Sequence, residues 1–355
     1  DKYFGCLAYY DVAEPPRNVK VHPRLIAYLT YDRMQYAYAP LRDKDQNITR
    51  NWAKVSPAVG WYDYIYGTPY LLPRVWFHTM ADYYRLGHAN GVRALYAEAY
   101  PNFGEGPKLW LAFKLQWNPD RDVDALLDEW YTRVAGEKAA PHLAAYYAHW
   151  EDFWTRRVHD SPWFSKQGTT YLRFNSPQYL SAVTPADIAM SRAWLEAAVA
   201  DADPGKRKQR ATLLLRAFEY YEASCIAYFG DTRANAMPLE TRDDALNILD
   251  YCTQVQAMAE KRHRLLDEDF ADHPVLQHPL SLDQYTSLGG KSWGAIGIWR
   301  LAPWVKRDAV VRERVTTLAA NAESPGVRAA AQGLLLAVNT QRASLAGNGS
   351  FEAGT

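Results

Sequence analysis

Net charge is the first thing this chain lacks: 40 Lys and Arg residues are matched by 40 Asp and Glu. A balanced chain exerts no sequence-wide pull on nucleic acid or on an anionic membrane. Long apolar runs are missing too, and no stretch of ~18 apolar residues reads as a bilayer-spanning helix. Cysteine is scarce, with only Cys6, Cys225 and Cys252. An odd count without a C-x-x-C pair supports neither a zinc site nor a disulfide framework. Cys225 and Cys252 fall on predicted helices and could pair, but buried thiols are the simpler reading. There is no H-E-x-x-H, no G-x-S-x-G and no phosphate-cradling glycine loop; Gly104-Glu105-Gly106 lacks the required context. His142 and His149 share a helix at i,i+7 spacing without a third ligand, which is poor evidence for metal. His22 precedes Pro23 in a loop, and His263, His273 and His278 read as surface or packing residues. The sequence therefore points to no metal and no cofactor.

Aromatic residues are what it has in abundance: 13 Trp and 25 Tyr among 355 residues. The plain reading is a large core, in a chain long enough for two domains at ~150 residues each. The functional reading is a carbohydrate surface, because Trp and Tyr offer a flat apolar face with a hydrogen-bonding edge.

Four short apolar runs, at residues 3–10, 25–31, 59–66 and 92–97, are rich in residues that favour strands and are closed by turn residues. Their starts lie 22 to 34 residues apart. That spacing fits βα units and hence a parallel sheet, whose doubly buried strands read as continuous apolar runs. Helical sequence is predicted at 47–55, after a long loop to about residue 45, and at 75–86, with Gly87 at the C′ position. Further helices follow at 107–117, 123–135 and 141–158. Residues 161–180 are irregular and read as a linker. Beyond them, Thr184-Pro185-Ala186-Asp187 and Thr241-Arg242-Asp243-Asp244 are helix-start signals. Helices are expected to about Ala202, from Asp203 to Tyr228, from Thr241 to about Asp267, and at 307–322 and 325–341, with a loop at 272–298.

The fold class expected is therefore α/β plus all-α. Four βα units make half of a (β/α)8 barrel, read here as the C-terminal half, occupying residues 1–160. A linker at 161–180 and a helical bundle at 181–342 follow. A complete small α/β sheet is the competing reading. The chain opens on Asp1 and closes on Asn348-Gly349-Ser350-Phe351-Glu352-Ala353-Gly354-Thr355. That tail resembles the opening strand of jelly-roll carbohydrate-binding modules, so residues 343–355 are read as the start of one. Both ends look cut from a longer polypeptide.

Barrel enzymes place their sites at the C-terminal ends of the strands. Applied here, the rule selects Asp11 and Glu14, then Asp32 and Arg33, then Asp63, and finally Glu98. Paired carboxylates are the working parts of most glycoside hydrolases. Asp63 and Glu98 lie on adjacent predicted strands and form the candidate catalytic pair. Arg33 is suited to an anionic sugar such as a uronate, with Asp32 and Asp11 beside it. Trp61, Tyr62, Tyr64, Tyr100 and Asn102 complete the expected sugar-binding set. The structural alternative is that Arg33 or Arg93 neutralises Asp63 or Glu98 in a salt bridge.

The strand ending at Glu98, the glycine-rich loop, Leu109-Trp110-Leu111-Ala112-Phe113-Lys114-Leu115-Gln116-Trp117-Asn118-Pro119-Asp120, and the aromatic helix around Tyr146-Tyr147 resemble a bacterial family, domain of unknown function 4838. Arg33-Met34-Gln35-Tyr36-Ala37-Tyr38 resembles that family's arginine-containing loop. The resemblance spans roughly residues 1–160. It implies a barrel similar to those of α-glucuronidases and β-hexosaminidases, extracytoplasmic polysaccharide work, and no established catalytic residues. The function expected is part of a secreted bacterial glycoside hydrolase-like protein, inactive as this piece. Its partners would be a carbohydrate substrate, an upstream barrel half carrying the general acid, and a downstream binding module. A non-catalytic carbohydrate binder, or a structural spacer, are the alternatives.

Overall fold

The computed structural model describes residues 2–165, 172–228, 230–279 and 297–339. The fold is mixed α/β, with one four-stranded parallel sheet. Its strands β1 (Phe4–Ala8), β2 (Leu25–Tyr31), β3 (Val59–Tyr64) and β4 (Val92–Glu98) lie in chain order. Parallel neighbours require crossovers. Helix α1 (Ala39–Val55) joins β2 to β3, and α2 (Phe77–Ala89) joins β3 to β4. Trp61 of β3 locks these helices to the sheet: its indole N–H donates to Thr49 Oγ1 of α1 at 3.2 Å and its ring lies against Gly87 of α2. One face of the sheet thus packs on helices. The other is partly open, with Leu7 and Tyr96 exposed. Among the described residues, β1 and β4 each pair on one side only.

Two helix boundaries differ from expectation. Helix α1 begins at Ala39, eight residues before the predicted 47. Pro40 suits a first turn. The polar run Arg42–Gln46 hides the amphipathic pattern, although Asp45 is on the buried side with Thr49 and Trp52. Gly87 lies inside α2 rather than after it. A Cβ there would come within 2.6 Å of the Trp61 ring, so this glycine permits close packing.

After β4 come α3 (Lys108–Trp117), α4 (Val123–Ala135) and α5 (Ala140–Thr155). The aromatic stripe of α5 is core: Tyr146, Tyr147, Trp150, Phe153 and Trp154 are buried. The expected linker at 161–180 is not a spacer where it is described. A helical turn α6 (Pro162–Ser165) contributes buried Trp163 and Phe164, a 3-10 segment (Pro177–Ala182) contributes buried Tyr179 and Leu180, and Leu172 between them is buried too. The Leu71 N–H donates to the Tyr179 hydroxyl and the Leu172 N–H donates to Asp32. Helices α7 (Pro185–Asp201) and α8 (Lys206–Tyr228) follow, the first with the expected Thr184–Asp187 capping box.

The chain divides into two compact units, and the boundary is not at residue 180. One unit comprises Asp1–Cys225 with Leu265–Gly289; the other comprises Ile226–Arg264 with Gly290–Thr355. The stretch carries no hydrophobic period of its own, which reads as a break near 180, but its buried aromatics belong to the first unit. The second unit is helical: α9 (Gly230–Ala236), α10 (Arg242–Arg264), α11 (Ala302–Arg307), α12 (Ala309–Asn321) and α13 (Pro325–Asn339). Ile248, Leu249, Leu301, Val305, Val311 and Leu334 form its core. The expected binding-module strand at 343–355 lies outside the described residues.

Candidate functional site

Side chains alternate between the two faces of a strand, and residues in register on adjacent strands share a face. Tyr62 pairs with Tyr96, Asp63 with Ala97 and Tyr64 with Glu98. Asp63 therefore faces the helices with Trp61, and Glu98 faces the open side with Tyr62 and Tyr64. The expected carboxylate pair is separated by the sheet.

Three of the six sequence-selected charges, Asp63, Arg33 and Asp32, lie in the interior, while Glu14 is exposed. Asp63 is 3% exposed; its Oδ1 accepts the backbone N–H groups of Arg33 at 3.0 Å and Tyr64 at 2.8 Å. Arg33 is fully buried. Its guanidinium lies 3.2 Å from Asp45, donates to the Leu29, Tyr31 and Tyr62 carbonyls, and sits 4.0 Å above the Trp61 ring. Burial opposes the Arg33 charge, and Asp45, Tyr36 and Asp63 outweigh it, so the group stays cationic. Asp32 receives Arg74 Nη2 on both oxygens at 2.7 Å. Burial pushes the Asp32 carboxyl up and Arg74 opposes it. Trp61 is core, and Asp11 lies exposed in a 3-10 turn after β1. The salt-bridge alternative names other pairs: among the described residues neither Arg33 nor Arg93 is ion-paired with Asp63 or Glu98, since Arg33 pairs with Asp45 and Arg93 turns to the His88 and Val92 carbonyls.

A third buried pair joins the segment after β4 to the first residue of α3. Lys108 is ion-paired with Glu105 and donates to the Tyr66 carbonyl at 2.9 Å. Burial lowers Lys108 to about 8 against the pull of Glu105, and raises the Glu105 carboxyl against Lys108. Asn102 accepts a hydrogen bond from the buried Tyr221 hydroxyl. It also lines a cavity of about 270 Å³ with Pro101, Phe103, Glu105 and Leu109.

What the fold does assemble is on the open face. Parallel pairing continues past the strands, with the Ile65, Gly67 and Thr68 N–H groups donating to Glu98, Ala99 and Tyr100 carbonyls at 2.9, 2.8 and 2.7 Å. Tyr62, Tyr64 and Tyr66 thus stand beside Tyr96, Glu98 and Tyr100, a two-by-three block of one carboxylate among five tyrosines. The Tyr62 hydroxyl donates to Glu98 Oε1 and the Tyr66 hydroxyl to Oε2. Tyr62 and Tyr96 rings lie 4.7 Å apart, and Tyr66 and Tyr100 stack at 5.4 Å. Tyr96 and Tyr100 are 56% and 37% exposed, while Tyr64 and Tyr66 are buried. Desolvation, then Glu98, pushes the Tyr62 and Tyr66 hydroxyls up, which keeps them protonated donors. Desolvation and Tyr9 do the same for Tyr64. Tyr100 holds φ +38°, a left-handed value that costs a non-glycine residue about 1–3 kcal/mol. Such strain persists where surrounding structure fixes it, and Tyr100 is fixed by its stack on Tyr66.

Tyr66 and Tyr96 were not among the sequence-selected residues. The signal was present as Tyr-x-Tyr-x-Tyr at 62–66 and Tyr-x-Glu-x-Tyr at 96–100. Among the described residues no group of His, Cys, Asp and Glu side chains is arranged to hold a metal ion, and no helix is long and apolar enough to cross a membrane.

Among the described residues, the parallel sheet of β/α units and the helices around it define a mixed α/β protein, with Glu98 at the C-terminal end of β4. Within that class, residues 1–148 match the family described as Domain of unknown function (DUF4838), which supports that domain family for this part of the chain. No curated protein and no solved structure matches.

Proposed function

We propose that the open face centred on Glu98 is the carbohydrate-facing part of a glycoside hydrolase-like site in a secreted bacterial protein. The observation that carries this reading is the Glu98 block: a carboxylate at a strand's C-terminal end, gripped by Tyr62 and Tyr66 and flanked by the exposed rings of Tyr96 and Tyr100. Aromatic faces suit the C–H side of a pyranose, and a carboxylate accepts its hydroxyls. Most glycoside hydrolases use a second carboxylate about 5–9.5 Å from the first. Asp63, on the other face, does not serve. Further β/α units added at the free edges of β1 and β4 would close a barrel over Glu98 and bring that acid, making the upstream half of the same polypeptide its partner.

A non-catalytic binder is the second reading. It is favoured by the two tyrosine donors, which occupy both Glu98 oxygens and suit a holding role. The test is titration of the chain with oligosaccharides alongside aryl-glycoside hydrolysis by the longest polypeptide that contains it. Binding and turnover that both fall in Glu98→Gln support the enzyme. Binding lost without any turnover in the wild type supports the binder. Saccharide binding untouched by Glu98→Gln removes both readings of this face.

A further inference from the structure

Resting on that reading, the charge pattern of the open face narrows the sugar. Arg33, the cation expected to hold a uronate, is committed elsewhere, as are Arg74 and Lys108. Arg33 is paired with Asp45, Arg74 with Asp32 and Lys108 with Glu105, and all three cations are fully buried. Among the described residues no Lys or Arg pairs with Glu98, whose polar partners are two neutral phenols. Among the described residues the block's one carboxylate thus has no cationic partner, and the exposed rings of Tyr96 and Tyr100 flank it. Tyrosine faces attract cations through their quadrupole, and such cages with a nearby carboxylate suit an ammonium group.

From this pattern we infer that the Glu98 face takes a saccharide bearing a protonated amine, an amino sugar with a free ammonium group, and disfavours uronates. The ammonium pairs with Glu98 between the exposed rings of Tyr96 and Tyr100. The sugar ring then lies along the aromatic ladder. This is opposite in sign to the anionic sugar that Arg33 suggests in the sequence.

Three matched probes test it: methyl glucosaminide, methyl glucoside and methyl glucuronide, titrated into the chain below the amine's own pKa. The expected order is amine, neutral, acid, with the amine about tenfold tighter than the neutral sugar. In Glu98→Gln the amine and neutral probes should converge. In the wild-type chain the amine advantage should shrink with added salt, as expected for a partly exposed ion pair, and vanish once the amine is neutral. That salt and pH dependence keeps the inference testable should the variant not fold. Equal binding of all three, or preference for the glucuronide, overturns the inference and leaves the carbohydrate reading intact. Failure of all three to bind removes that reading as well.

Discussion

Asp63 and Glu98 lie one register step apart on neighbouring strands and point to opposite faces of the sheet. One carboxylate holds the backbone turn at Arg33 in the interior; the other stands among tyrosines on the open side. Their substitutions should therefore report on different things.

Asp63→Ala should destabilise the first unit by about 3 kcal/mol, because two buried N–H donors lose their acceptor beside Arg33. Glu98→Gln, on the half-open face, should cost about 1 kcal/mol. Urea unfolding of the two variants checks the ranking. A larger loss from Glu98→Gln would contradict it.

Arg74→Met leaves Asp32 buried and unpaired, and should cost about 3–5 kcal/mol. Adding Asp32→Asn to that variant should restore part of the loss, since the stranded charge is then gone. Denaturation midpoints of the single and double variants read this directly.

Gly87→Ala should destabilise even though alanine favours a helix interior by about 1 kcal/mol. The added methyl would lie 2.6 Å from the Trp61 ring, and overpacking typically costs about 1–3 kcal/mol. Thermal unfolding should show a lower midpoint. Trp61→Phe in the same background should recover some of it by freeing space.

His78 near the start of α2 is gripped by Glu151 at 2.9 Å and Asp124 at 3.1 Å. The Glu151 hydrogen bond leads in raising its pKa to about 9, against some burial. A histidine whose folded value exceeds its unfolded ~6.5 contributes stability that is full below ~6.5. That contribution is lost as pH rises through about 9. The stability difference between wild type and His78→Gln should shrink across that window. Solvent exposure of the ring keeps the effect small, so the imidazole proton shifts in an NMR titration are the sharper measure.

The strands could be read from the sequence because each is a compact apolar run. Helix α7 could be read because Thr184 and Asp187 form a full capping box. Parity along β3 was legible too, since Trp61 and Asp63 alternate with Tyr62 and Tyr64. What the sequence does not carry is the register of β4 against β3. Without it, the face of Glu98 relative to Asp63 is undefined, and two acids on adjacent strands look like a pair. The Arg74–Asp32 pair spans 42 residues and leaves no local pattern. Residues 161–180 show no period for a related reason: Trp163 and Tyr179 are buried by distant partners such as Tyr70. For the candidate site, four of the six residues in the block were selected, and the Arg33 and Asp32 assignments fell to buried ion pairs.

The most direct test follows the tyrosine ring resonances of the chain, assigned by single Tyr→Phe variants, during titration with a soluble oligosaccharide that bears free amines. Saturable shifts confined to Tyr62, Tyr66, Tyr96 and Tyr100, and needing about tenfold more sugar in Glu98→Gln, are the predicted result. Rings that stay still at saturating sugar, or shifts that persist unchanged in Glu98→Gln, would contradict Glu98 as the centre of a carbohydrate site.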